Sequence, residues 1–164
     1  MSAQRGAPEE ERMDPGELQT TREALGLTTE ALAGMLGVRD DTYRRWESGR
    51  EPIPYRVSEE VEVVEEYTAR AVDEIVATLE DARDPAVVVY RTDAQMHAAR
   101  PDTAHLPARW WRHVVYRAAE RVPGVAIVNA PRDLDVVIAE GREMLAEEFP
   151  SFEDFRREHD DDRP

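Results

Sequence analysis

The chain has 164 residues, a net charge of -15 at pH 7 and no cysteine. This length allows one domain or two small ones, and the absence of cysteine excludes disulfide bonds, thiolate zinc sites and a cysteine nucleophile. No apolar run approaches the roughly 20 residues of a membrane span, and the N-terminus has acids where a signal peptide is apolar, so we expect a cytoplasmic protein.

The acidic charge is concentrated in two segments. Residues 57–84 carry two arginines against ten acids, and residues 132–164 carry five against twelve. Residues 14–56 carry six arginines against eight acids and are therefore near neutral. An acidic protein is repelled by a phosphate backbone, but this distribution leaves the N-terminal part able to bind nucleic acid.

The N-terminal residues predict an arm followed by a capped helix. We expect residues 1–12 to be a flexible arm. Asp14 is a suitable N-cap, Pro15 suits the first helical position, and Glu17 is spaced to complete a capping box. Gly26 is expected to end this helix.

The next residues predict two short helices joined by a tight turn. Thr28 is expected to cap the first of them, and Gly37 provides the turn. In the second, the spacing of Tyr43 and Trp46 predicts an inward face and leaves the arginines toward solvent. This layout is typical of a DNA-reading helix-turn-helix, to which we assign residues 13–56.

A long amphipathic helix is predicted from Tyr55 to Asp81, and we assign residues 57–84 to a long-helix segment that could mediate dimerisation. Its apolar stripe either forms a dimer seam or packs on the rest of the chain, the first half against the helix-turn-helix and the second half against the C-terminal part. The stripe has three- and four-residue steps and comprises Val57, Val61, Val64, Thr68, Val72, Ile75 and Leu79.

Residues 85–149 predict a small strand-helix-strand domain. The segments 86–90 and 125–128 favour strands that pair in parallel, and Leu106 to Arg121 favours the connecting helix. A last helix is predicted from Leu134 to Glu148, and the acidic tail, residues 150–164, is expected to be disordered. The fold class is therefore mainly α, with an N-terminal helix-turn-helix bundle, a long connecting helix and a C-terminal α/β unit of two short strands.

Trp110 and Trp111 are adjacent on the predicted connecting helix. Neighbouring helical positions point about 100° apart, so the two indoles do not face one core, and an exposed or interfacial indole is a candidate for binding a protein partner. Burial of both against the two strands is the alternative, and we favour it. Exposure of Trp110 or Trp111 would favour a protein-interaction module over a DNA-binding regulator.

No pattern in the chain indicates catalysis. The chain has no phosphate loop, nucleophile elbow or paired-carboxylate site, so we predict neither an enzyme nor a cofactor. His97, His105 and His113 recur every eight residues, whereas zinc ligands within one element usually lie three to five residues apart. We interpret them as surface histidines and predict no metal site.

The segments Leu32–Val38, LAGMLGV, and Thr42–Arg50, TYRRWESGR, resemble the XRE, or Cro/CI-type, helix-turn-helix family of transcriptional regulators. The order of the later segments resembles that of short uncharacterised bacterial regulators. Family members commonly have glutamine where Thr29 stands and a capping serine where Arg39 stands, so the cap is expected to shift to Asp40. The resemblance implies a phosphate contact by Thr29, base contacts by Arg39, Asp40, Asp41 and Arg44, and backbone contacts by Ser48, Gly49 and Arg50.

The third predicted helix combines acids with arginines. We assign Arg44 to bases, because a guanidinium can form two hydrogen bonds with guanine, and Arg45 to phosphate, although the two assignments could be exchanged. The alternative is a solvated face on which these arginines pair with Asp40, Asp41 or Glu47. Asp40 and Asp41 either stabilise the helix N-terminus, by ~0.3–1 kcal/mol each, or accept a hydrogen bond from cytosine.

We therefore expect a dimeric, sequence-specific transcriptional regulator, most simply a repressor, that binds double-stranded DNA. An antitoxin that neutralises a protein partner through residues 85–164 is the alternative, as is a regulator whose acidic tail competes with DNA for the arginines. A small-molecule sensor in the strand-helix part is a third hypothesis.

Overall fold

The computed structural model describes residues 12–132 and 150–162. It is mainly helical with one small parallel sheet, which confirms the predicted fold class. The predicted arm, apart from Arg12, and the helix predicted at 134–148 lie outside the described residues. Within the described residues, no helix is both long enough and apolar enough to cross a membrane.

The first helix, α1 (Pro15–Ala24), begins at the predicted capping box. The Asp14 carboxylate accepts a hydrogen bond from the backbone N–H of Gly16 at 2.7 Å, and Glu17 accepts one from the backbone of Asp14 at 3.4 Å. Gly26 follows the helix with a φ of 70°, in the left-handed region that glycine adopts without strain.

The helix-turn-helix consists of α2 (Thr29–Met35) and α3 (Asp40–Glu47). Thr28 caps α2 as predicted, accepting a hydrogen bond from Ala31 at 3.1 Å. The predicted cap of α3 is wrong: Arg39 is the N-cap, without a side-chain capping bond, and Asp40 is the first helical residue. The Asp40 carboxylate pairs with Arg44 one turn later, so it is engaged outside the cap.

The long helix α4 (Tyr55–Asp81) has the predicted bounds. Every residue of its predicted apolar stripe is at most 4% exposed. The stripe is covered by the chain itself, so it does not form the exposed dimer seam that the sequence allowed. Two helices that pack against α4 are α6 (Ala108–Arg121) and α7 (Phe152–Asp161).

The strands β1 (Ala86–Val89) and β2 (Ala126–Asn129) pair in parallel, with Ala86 opposite Ala126, as predicted. Their connection contains a helix that the sequence did not predict, α5 (Asp93–Ala99), before α6. The predicted start of α6 at Leu106 is two residues early, because Pro107 is its N-cap.

Both tryptophans of α6 are buried, so the structure agrees with the interpretation that buries the pair and not with the one that exposes an indole. Trp110 is 0% exposed, stacks on Tyr67 and donates a hydrogen bond to the Thr68 hydroxyl at 3.1 Å. Trp111 is 3% exposed and donates to the Val88 carbonyl of β1 at 2.8 Å. The two indoles diverge as predicted, but α6 packs against α4 on one side and against the sheet on the other.

The acidic tail is helical in its described part, which contradicts the predicted disorder. Ser151 caps α7, and Phe152 and Phe155 are buried. Both rings meet the Tyr67 ring edge-to-face at 5.4 Å, and the Tyr67 hydroxyl donates to the Pro150 carbonyl at 3.1 Å. These two phenylalanines, three residues apart in an acidic segment, provide the apolar face that orders it.

Candidate nucleic-acid interface

The helix α3 has one buried and one exposed face. Tyr43 and Trp46 are 0% and 4% exposed and meet edge-to-face, with ring centroids 6.4 Å apart. The side chains of Arg44 and Arg45 are 66% and 47% exposed. The prediction that the aromatic residues of α3 face inward and its arginines face solvent is therefore confirmed.

An ion pair between α1 and α3 fixes this orientation. The Arg22 guanidinium donates to both carboxylate oxygens of Glu47, at 3.0 and 2.6 Å, and to the Leu27 carbonyl at 3.0 Å. These hydrogen bonds raise the pKa of Arg22 above its ordinary value, so the group stays charged. Sequence reasoning missed this pair, although Arg22 lies four residues after Leu18 on the inward side of α1, where an arginine needs a partner.

The arginines of the candidate DNA face are paired with acids in the free protein. Arg44 pairs with Asp40 at 2.8 Å, and Arg45 lies 3.6 Å from Asp41 and 3.0 Å from Glu51. Exposed pairs of this kind contribute about 0–1 kcal/mol. A phosphate or a guanine can therefore replace the carboxylates at little cost.

The pairing leaves the face almost neutral. Arg39 also joins it, with its guanidinium 3.4 Å from the Asp41 carboxylate. A net charge of +1 results from Arg39, Arg44, Arg45 and Arg50 set against Asp40, Asp41 and Glu51. The acidity of the whole chain is thus absent from this surface.

The structure brings together five of the eight predicted DNA-binding residues. Asp41, Arg44, Arg45, Ser48 and Arg50 line one open cavity of ≈ 370 Å³. Ser48 donates to the Arg45 carbonyl at 3.2 Å, and Gly49 has a φ of 74°, which turns the chain at the end of α3.

The other three predicted residues lie outside this cavity. Arg39 and Asp40 are at the start of α3, where Asp40 is half-buried, and Thr29 is the half-buried first residue of α2. The Thr29 position belongs to the other helix of the pair and is therefore separated from the α3 arginines.

The three regularly spaced histidines do not form a cluster. His97 contacts the Leu106 carbonyl through Nε2 at 2.7 Å, and His113 contacts the Ala24 carbonyl through Nδ1 at 3.0 Å. Among residues 12–132 and 150–162, no group of three or more potential ligands is arranged to hold a metal ion.

The sequence model of a family described as Aca2/YdiL-like matches residues 13–121, well over half of the chain. The match begins just before α1 and continues through the end of α6, so it includes the helix-turn-helix, α4 and the tryptophan-bearing helix. This is a helix-turn-helix-like family of regulators or antitoxins, and the match indicates a DNA-binding module of that kind. No curated protein matches the chain.

Proposed function

This chain belongs to the Aca2/YdiL-like family, and on that premise we propose that it is a sequence-specific DNA-binding transcriptional repressor that acts as a dimer. The observation that carries the proposal is the exposed arginine face of α3, held in place by the buried Arg22–Glu47 pair. The resemblance of α2 and α3 to XRE-type regulators supports the same function.

We propose that α3 enters the major groove of the duplex. Arg44 forms two hydrogen bonds with a guanine, a contact worth ~1–3 kcal/mol of discrimination. Arg45 and Arg50 bind phosphates, while Thr29 and Ser48 contact the backbone.

The two aspartates have a role in this proposal. Asp40 and Asp41 pair with Arg44 and Arg45 before DNA binds. Random phosphates must compete with these carboxylates, whereas a matching site also offers base contacts. The aspartates therefore reduce binding to non-specific DNA more than binding to the operator.

Because the α4 stripe is covered, dimerisation requires another surface. Ile127 and Val128 of β2 are 46% and 44% exposed, and a two-stranded sheet is rarely stable alone. We place the dimer contact on this strand. Light scattering on Ile127→Asp should report a monomer, and a persisting dimer contradicts this location.

The test of DNA binding uses duplexes recovered from a genomic selection with the wild-type chain. Arg44→Ala combined with Arg45→Ala should abolish specific binding. Arg157→Ala is the control, because this α7 arginine is 72% exposed and pairs only with Asp154 among the described residues. Equal binding by all three proteins contradicts the proposed function.

An antitoxin is the second candidate, supported by the acidic surface of α4. Residues 57–84 carry a net charge of -8, which suits a basic protein partner. The burial of both tryptophans removes the feature that pointed to a partner site on α6. Co-expression with the products of neighbouring genes tests this function: a toxic product that becomes harmless and co-purifies supports it.

A further inference from the structure

A second basic surface lies on α6, outside the helix-turn-helix. Residues 85–131 carry six arginines against three acids, in a chain whose net charge is -15. Three of these arginines line an open cavity of ≈ 630 Å³, and Glu120 is the only acid among its lining residues within 12–132 and 150–162. The cavity is lined by Ala24, Arg109, Arg112, His113, Tyr116, Arg117 and Glu120.

This surface borders the turn that leads into α2. A Cβ atom on Gly26 would lie 2.9 Å from the Arg109 carbonyl oxygen, so α6 and the turn are in direct contact. His113 is hydrogen-bonded to the carbonyl of Ala24, the last residue of α1. Gly26 lies three residues before Thr29 in the chain, so the α6 surface borders the segment that leads to the proposed backbone contact of α2.

The arginines differ in how far their charge is already neutralised. Arg109 and Arg117 form no ion pair with any residue in 12–132 or 150–162, unlike Arg44 and Arg45 on α3. Burial raises the pKa of Glu65, and the nearby Arg117 opposes that rise. Arg121, at the end of the same helix, pairs with Asp73 at 2.5 Å.

An exposed aromatic side chain lies between the arginines. Tyr116 is 60% exposed, the highest value among the exposed large hydrophobic side chains of the described residues. Tyrosine hydroxyls and guanidinium groups are both common donors to phosphate oxygens. The surface thus combines two arginines that form no ion pair with a described residue and a neutral donor, which suits a phosphodiester backbone.

We propose that the α6 surface of Arg109, Tyr116 and Arg117 binds phosphates of the duplex beside the site read by α3. This proposal rests on the proposed DNA-binding function and extends it. The extra contacts carry no sequence information, and they lengthen the footprint on the side of α2. An acidic protein thereby gains backbone affinity beyond the few phosphate contacts proposed for its almost neutral recognition helix.

The salt dependence of binding tests this proposal. Each phosphate contact contributes ~0.9 to the slope of log K against log salt concentration. Arg109→Ala combined with Arg117→Ala should lower the slope by about one to two and weaken binding equally on all duplexes. The matched control is Arg121→Ala on the same helix, which should leave the slope unchanged.

Duplex length provides a second comparison. On a selected duplex trimmed to the base pairs that α3 covers, the double variant and the wild type should bind alike. Arg109→Lys with Arg117→Lys should restore the slope on the full duplex, because lysine also neutralises a phosphate. Arg109→Ala alone should show a smaller loss, and it serves as the test if removal of Arg117 beside Glu65 prevents folding.

The outcomes separate this inference from the proposed function. If the Arg109 and Arg117 variants keep the wild-type slope while Arg44→Ala with Arg45→Ala abolishes binding, the α6 surface does not touch DNA and the repressor proposal stands. If the wild-type chain binds no duplex at low salt, both are overturned. If the double variant still binds the trimmed duplex more weakly than the wild type does, the proposed phosphate contacts beside the α3 site are also overturned.

Discussion

The carboxylate of Glu47 accepts two hydrogen bonds from the guanidinium of Arg22, at 3.0 and 2.6 Å, across 25 residues of sequence. Their side chains are only 12% and 11% exposed. The pair joins the last residue of α3 to α1, and the third Arg22 bond reaches the turn before α2. One guanidinium group therefore connects α1, α3 and the turn that leads into α2.

Removing the carboxylate should destabilise the fold. Glu47→Ala leaves the Arg22 charge largely buried without its partner, and breaking such a pair costs about 3 kcal/mol. Urea unfolding measures this loss. Glu51→Ala is the control, because it removes an exposed partner of an α3 arginine and should change the free energy of unfolding by less than about 1 kcal/mol. Similar losses in both variants contradict the structural role of Glu47.

Alanine substitutions at two glycines distinguish the cost of backbone strain from the cost of a steric clash. Gly26 and Gly37 have φ values of 70° and 68°, so alanine at either position is strained by about 1–2 kcal/mol. Only at Gly26 does the new Cβ meet other atoms, 2.9 Å from the Arg109 carbonyl and from the His113 ring. Thermal unfolding should show a clearly larger loss for Gly26→Ala than for Gly37→Ala. Equal melting temperatures for the two variants would contradict the close packing of α6 against the turn at Gly26.

The buried Thr68 hydroxyl should stabilise the fold by accepting the hydrogen bond from Trp110. Thr68→Val preserves the shape but leaves the Trp110 N–H without its acceptor, at a cost of about 1–3 kcal/mol. Thr20→Val is the matched control, because the Thr20 hydroxyl makes the same bond to the carbonyl four residues earlier at an exposed position. Chemical unfolding followed by tryptophan fluorescence compares the two, and a neutral Thr68→Val shows that the indole bond contributes little.

Neutralising the aspartates of α3 distinguishes their two interpretations. If they mainly restrain the arginines, Asp40→Asn with Asp41→Asn should increase affinity for random duplexes. The difference in affinity between the selected duplex and random duplexes should then become smaller. The stability of α3 should fall by ~0.3–1 kcal/mol per residue. Competition binding with unrelated DNA measures this difference in affinity. A loss of affinity confined to one selected base pair instead indicates that an aspartate reads cytosine.

The features predicted correctly from sequence depend on local chemistry. The capping box at Asp14, the cap at Thr28 and the glycine turns involve residues within a few positions of one another. The bounds of α4 follow from a long regular pattern that ends before Pro85. The parallel pairing of β1 and β2 follows from the helical connection between them.

Features that depend on partners distant in sequence were left open or missed, whereas the cap of α3 and the start of α6 were mispredicted although their determinants are local. The burial of Trp110 and Trp111 requires α6 to be covered on two sides, by α4 and by β1. The order of α7 depends on Tyr67, which lies far from Phe152 in the chain. The pairing of Arg44 and Arg45 was predictable in kind, since acids four residues earlier are standard helix partners.

The contact between Gly26 and α6 also affects how two copies could read an operator. A single hydrophobic core runs from α1 to α7, so the recognition helix cannot swivel on a flexible linker. In a dimer joined at β2, both the span and the relative angle of the two recognition helices are then constant. One inserted base pair rotates a half-site by about 34° and moves it away from the second helix. Operator spacing should therefore be under selection as strict as that on the bases themselves.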